Sequence, residues 1–223
     1  MQNSVSPMLP TDAAGDENFR NDARQKPPRS KSPARWQIVL PVFLISLIVL
    51  AIVGWHYANE YWIHRYDKII ERQAIIYRLD PKLVWSVIYQ ETYFQTAKIG
   101  DAGEVGLMQI TPTVAREWAK ETGIEDFEQQ VARDHVAVLR EPERNIQIGC
   151  WYLEKLGERY RDSPAPLART LAAYNAGASR VAEWDKPSTE NVPLSENEFI
   201  ERIDIRTTRA YVSDILARYR AKQ

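Results

Sequence analysis

Twenty-four consecutive positions, Trp36 to Asn59, carry no formal charge. That run limits what the chain can become more than any other feature. From Ile38 to Val53 it is almost continuously aliphatic, broken by Pro41 and Ser46. As a helix rising ~1.5 Å per residue it spans about 36 Å, enough for ~30 Å of bilayer hydrocarbon. Trp36, Trp55 and Tyr57 stand near its ends, where amphipathic rings favour the headgroup level. Pro41 falls in the first turns, where a missing N–H costs least. A buried core helix is the alternative, but a soluble core does not need aliphatics of this length. A cleaved signal peptide would have a shorter apolar region and a small-residue cleavage site, which Gly54-Trp55-His56 does not supply. The expectation is one uncleaved transmembrane signal anchor over residues 36–58.

The flanks give a direction. Residues 1–35 hold five of the thirteen prolines and few large apolar side chains, too little to offset chain entropy, so a disordered tail is expected. Between Arg20 and Arg35 that tail carries six cations against Asp22 alone, whereas over residues 56–75 three cations are balanced by three anions. Positive charge stays inside. The tail is then expected inside, on the cytoplasmic face, and residues 60–223 outside, on a single-pass membrane protein.

Composition excludes several functions. A formal net charge of −1 argues against a nucleic-acid binder. Cys150 is the single cysteine and His56, His64 and His135 show no ligand spacing, so neither a disulfide nor a metal site is expected, and no cofactor is implied. Nothing in the sequence names a protein partner.

Residues 60–223 read as all-α, with 3.6-residue periodicity and no alternating strand. A helix is expected over Tyr61–Tyr77, with Ile69, Ile70, Gln73 and Ile76 on its inner side. Asp80-Pro81 and Thr111-Pro112 are N-cap and first-turn proline pairs, and Gly123 closes the second of these helices. Pro142–Tyr160 carries an inner stripe of Ile146, Gly149, Cys150, Leu153 and Leu156. Ser195 and Glu198 form a capping box. The last helix aligns Thr208, Val212, Ile215, Leu216 and Tyr219.

On the helix opened by Asp80-Pro81, the apolar stripe Val84, Val87, Ile88 continues to Glu91. A carboxyl group stands where an aliphatic belongs, near a helix C-terminus whose dipole disfavours negative charge. Both effects favour the protonated form, as a proton donor to a glycosidic oxygen requires. Spacing alone leaves open a Glu at the stripe's edge that reaches water or pairs with an Arg. Next, Gly100, Gly103 and Gly106 fall within seven residues with no preceding strand. They support tight turning and close approach to a ligand better than a phosphate loop. Gln109 lies just ahead of the following helix, and Tyr174-Asn175 ends an Ala-rich segment.

Three stretches carry a resemblance: Gln90-Glu91-Thr92-x-Phe94; Gly103-x-x-Gly106-Leu107-Met108-Gln109-Ile110-Thr111-Pro112; and Ala172-Ala173-Tyr174-Asn175-Ala176-Gly177. With Asn145-Ile146-x-x-Gly149-x-x-Tyr152-Leu153 and Thr208-Arg209-x-Tyr211-Val212 in order, residues 65–220 resemble the catalytic domain of soluble lytic transglycosylases. That family has a goose-type-lysozyme-like fold and cleaves peptidoglycan glycan strands. The resemblance implies Glu91 as the single catalytic acid, then base, which leaves 1,6-anhydromuramic ends. It also implies a substrate-binding set of Gln109, Tyr174, Asn175, Thr92 and Met108, the last packed beneath the groove. Four positions depart from the family pattern. Thr92 replaces a serine, Gly100 replaces a serine nine residues after the acid, Thr207 replaces a glutamate, and Glu104 stands where a small residue is common. A second carboxylate, Glu104 or Asp101, at about 5–9.5 Å from the first would suit a hydrolase instead. A catalytically silent wall-binding scaffold is the further alternative.

Overall fold

The computed structural model describes residues 36–186 and 193–223; the expected disordered tail, 1–35, lies outside them. The chain divides into two units, Met1–Ile52 and Val53–Gln223. In the first, the described residues are the opening turns of α1 (Trp36–His64), all exposed. This helix is long and apolar enough to cross a membrane, with a mean hydropathy of 2.8 over its most apolar window. From Trp36 to Ile52 its aliphatic side chains are exposed, Leu50 by 66% and Ile52 by 61%, whereas Ile63 in its last turn is buried.

The second unit is helical: α2 (Asp67–Ile76), α3 (Pro81–Thr92), α4 (Pro112–Thr122), α5 (Glu125–Leu139), α6 (Pro142–Tyr160), α7 (Pro166–Ala176), α8 (Ala178–Trp184), α9 (Glu196–Arg202) and α10 (Arg206–Arg220). Among the described residues the only β-type pairings are two isolated bridges, Ile99 with Val105 and Val105 with Ile110. The fold class is all-α, as expected.

The expected start signals act as they should. Asp80 accepts from Lys82 N, Thr111 accepts from Val114 N, and proline follows each at the first helical position. Gly123 closes α4 in the left-handed region, and Ser195 with Glu198 completes both halves of a capping box. The helix expected over Tyr61–Tyr77 is instead two pieces, with a turn at Arg65 and Tyr66. There the Arg65 guanidinium covers the Trp62 ring and bonds to Phe94 O, so tertiary contacts override the local period. Ile76, expected inside, is 58% exposed, and Ala74 takes its place in the core.

Helix α6 packs on α7 and α2, α10 packs on α7 and α3, and α4 pairs with α5 against α6. Val84, Val87, Ile88, Ile146, Ile148, Leu171, Val212 and Ile215 are fully buried where these helices meet. Burial pushes the Cys150 thiol up to about 12, which makes it a small hydrophobe at neutral pH. One cation is buried with them. Arg169 on α7 is 1% exposed, donates to both Asp185 oxygens at 2.9 and 2.6 Å, and lies 4.5 Å from the Phe199 ring centre. It ties α7 to the end of α8 and to α9. Asp185→Ala leaves that guanidinium buried without its counter-charge and should cost about 2–3 kcal/mol. A urea-melt midpoint unchanged from wild type would contradict this.

Candidate active site

Glu91 lies on the last turn of α3, one residue before the helix ends at Thr92. Its neighbours one and two turns back, Ile88 and Val84, have no exposed surface. The stripe that packs α3 into the core therefore delivers a carboxyl group to the core's edge. Across from it α10 presents Tyr211, whose hydroxyl donates to Glu91 Oε1 at 2.7 Å. Burial pushes the Glu91 carboxyl up to about 7, against the Tyr211 hydrogen bond and the Lys98 charge, which pull it down; the Glu104 charge adds to the rise. Tyr211 itself is held far above the usual phenol range by burial and by the neighbouring Glu91 charge. The pair is one carboxyl that can hold a proton near neutrality and one hydroxyl that stays a donor.

A loop from Lys98 to Gln109 covers this end of α3. Lys98 Nζ donates to Glu91 O, and its own carbonyl accepts from Gly106 N at 3.0 Å and Gln109 Nε2 at 3.3 Å. Asn145 on α6 is the loop's buried anchor. Its Oδ1 accepts from Met108 N at 2.7 Å, and its Nδ2 donates to Val105 O and Leu139 O, each at 2.8 Å. That approach requires glycine at 106. Its φ is +80°, and a Cβ there would stand 2.4 Å from both Asn145 Nδ2 and Leu139 O. Gly149 on α6 likewise leaves room for the Met108 side chain, since a Cβ would lie 2.2 Å from the Met108 sulfur. From α7, Tyr174 donates to Met108 O at 2.8 Å.

The segment after Glu91 is held from its other side by the end of α1. Trp62 Nε1 donates to Tyr93 O at 2.8 Å, the Tyr93 hydroxyl bonds Asn59 Oδ1, and Arg65 bonds Phe94 O. Tyr93 and Phe94 have φ of 51° and 62°, and Gln109 has 49°. Left-handed backbone at side-chain-bearing residues is costly and persists where surrounding contacts over-determine it. Here three such residues bracket the acid.

Residues 68–192 match the family model described as Transglycosylase SLT domain. The chain belongs to that family. The soluble lytic murein transglycosylase of Salmonella typhimurium is 28% identical over 163 residues, which cover 73% of this chain and 24% of that protein. The membrane-bound lytic murein transglycosylase F of Desulfosudis oleivorans is 30% identical over 156 residues, 67% of this chain and 31% of the relative. Among solved structures, an inactive mutant of the lytic transglycosylase Slt from Pseudomonas aeruginosa superposes with a TM-score of 0.61 at 26% identity, covering 71% of this chain and 24% of that one. The chain thus spans about a quarter of the length of the soluble relatives it matches.

Within this SLT domain the expected site residues separate into two groups. Glu91, Tyr174 and Gln109 come together at the α3 end and its covering loop, with Gln109 Nε2 folded back onto Gly106 O at 3.0 Å. Asn175 is exposed on the last turn of α7 and accepts from Thr208 on α10 at 2.7 Å. Thr92 and Met108 do not reach the surface. Thr92 is 3% exposed and its hydroxyl donates to Leu107 O at 3.0 Å, while Met108 has no exposure. Both lie beneath the surface of the site, where they support the covering loop. Asp101 is exposed on the loop. The residue that sequence reasoning missed is Tyr211. It sat inside the Thr-Arg landmark as a position to match, yet a phenol three residues after Thr208 on a core-facing stripe was itself a signal.

A raised carboxyl pKa has a sign in stability. Between about 4.5 and 7 the native state binds a proton at Glu91 that the unfolded chain has released, so stability falls as pH rises through that window. Glu91→Gln should remove the fall and gain about 3 kcal/mol over wild type at pH 8. Parallel stability–pH curves for the two proteins would contradict the buried acid.

Proposed function

We propose that the chain is a membrane-anchored peptidoglycan lytic transglycosylase, in which Glu91 is the catalytic acid and then the base. The observation that carries this reading is the carboxyl group held near neutral pKa at the end of α3, with one oxygen bonded to Tyr211. Protonated Glu91 donates to the oxygen of the β-1,4 bond between N-acetylmuramic acid and N-acetylglucosamine, and the C1–O bond breaks as that proton arrives. The Glu91 carboxylate left behind is stabilised by the Tyr211 hydroxyl and by Lys98. It then takes the proton of the muramoyl 6-hydroxyl, whose oxygen closes onto C1 and leaves a 1,6-anhydro end. No water is consumed, and Glu91 returns protonated. Tyr174, by fixing Met108 O, holds the loop that carries Gln109; Gln109 and Asn175 are the side chains placed to meet sugar groups. The family membership and the names of the relatives support the substrate class.

The anchor agrees with that substrate. With the cation-rich tail inside, a span over residues 36–58 sets the SLT domain on the periplasmic face of the inner membrane, where the glycan lies.

Digestion of purified sacculi by the detergent-solubilised full chain should release muropeptides lighter by one water than muramidase products. Hydrated products would make the enzyme a hydrolase, and no release would leave a binding scaffold. Glu91→Gln should reduce release about a hundredfold or more. Tyr211→Phe should lower kcat about tenfold with a smaller change in KM, because its donor is needed most when the carboxylate forms. A raised KM with kcat unchanged would place Tyr211 in substrate binding instead.

A further inference from the structure

Helix α1 runs on past the end of its uncharged stretch, from Glu60 to His64. Three hydrogen bonds from this end of the helix and the turn after it fall on two consecutive residues just past the acid. Trp62 Nε1 donates to Tyr93 O at 2.8 Å, and Asn59 Oδ1 accepts from the Tyr93 hydroxyl. The Arg65 guanidinium, 3.5 Å from the Trp62 ring centre, donates to Phe94 O. Asn59, Trp62 and Arg65 stand three positions apart, all ahead of the residues 68–192 that match the family model.

Tyr93 and Phe94 need such holding. Tyr93 is the left-handed C-cap of α3, with its N–H bonded to Tyr89 O at 3.1 Å, and Phe94 follows it at positive φ. Two side-chain-bearing residues in a row in this region are strained, and a helix end relieves strain by fraying. The last turn of α3 carries Glu91, so fraying there would draw the carboxyl away from the Tyr211 hydroxyl that it meets at 2.7 Å. Phe94 is also fixed by burial, with no exposed surface. Tyr93 is only half-buried and depends on its bonds to Trp62 and Asn59.

We propose that Trp62 is a positioning residue for Glu91: by fixing the Tyr93 carbonyl it keeps the last turn of α3 wound and the carboxyl seated against Tyr211. The end of the apolar helix is then part of the active-site framework as well as a tether. The proposal rests on the acid role given to Glu91 above.

Trp62→Phe in the detergent-solubilised full chain removes the donor and keeps a ring for Arg65 to cover. Its kcat on sacculi should fall about tenfold with KM within about twofold of wild type, because alignment is lost and no sugar contact is. Its Glu91 carboxyl, followed by carbon NMR, should titrate at lower pH than in wild type, since a frayed turn lets water reach it. A kcat within about twofold of wild type, or a carboxyl titration that coincides with wild type, overturns the proposal. Asp185→Ala weakens the fold without touching α3 and controls for stability alone. It should keep both readouts at wild-type values, and the same loss of kcat there would also overturn the assignment. If Trp62→Phe does not fold, Tyr93→Phe, which takes away only the bond to Asn59, is judged by the same two measurements. If the wild type releases no product, the enzymatic reading fails, while the titration still decides whether Trp62 holds Glu91.

Discussion

A carboxyl group withdrawn from water, bonded through one oxygen to a buried tyrosine, is the interaction on which the rest of the domain depends. Four influences meet at Glu91. Burial, and to a smaller extent the Glu104 charge, disfavour the ionised form; the Tyr211 hydroxyl and Lys98 favour it. Burial wins, and the margin matters. A carboxyl at an ordinary pKa would hold too little proton at neutral pH to act as an acid, and one raised much further would not release it to become the base. The opposing hydrogen bond therefore limits the shift, and in the proposed reaction it would support the charge that forms on Glu91.

That balance needs rigid surroundings. Helix α3 brings the carboxyl, α10 the phenol, and α7 the Tyr174 hydroxyl that grips Met108 O. Asn145 satisfies three backbone groups of the covering loop and the adjoining helix end, all buried. A fully paired amide of this kind specifies one arrangement, because any other leaves polar groups unmet. The end of α1 contributes from the opposite side through Trp62, Asn59 and Arg65. The same helix that reads as an anchor in its first half is part of the domain's support in its last turns.

Much of this was legible in the residues. Start signals at Asp80-Pro81 and Thr111-Pro112, the span of α6 and the inner stripe of α10 followed from capping chemistry and period, which depend on neighbours in sequence. The displaced aliphatic at position 91 pointed to the acid for the same reason. What sequence could not reveal depends on neighbours in space. The break at Arg65 comes from a contact 29 residues away, Thr92 is diverted from the site by Leu107 O, and Tyr211 meets Glu91 across 120 positions. Helix α5, bent at Asp134, carries no strong cap to announce it. Gly100 and Glu104 looked like two separate departures from a family pattern; the Glu104 carboxyl occupies the space that a Cβ at 100 would need, so they are one.

The most direct measurement is a carbon NMR titration of the Glu91 side-chain carboxyl in the full chain, assigned by its loss in Glu91→Gln. A midpoint near 7 is the expected result. A midpoint near 4.5, the value of a solvated glutamate, would mean that the carboxyl is ionised at neutral pH and cannot serve as the proton donor.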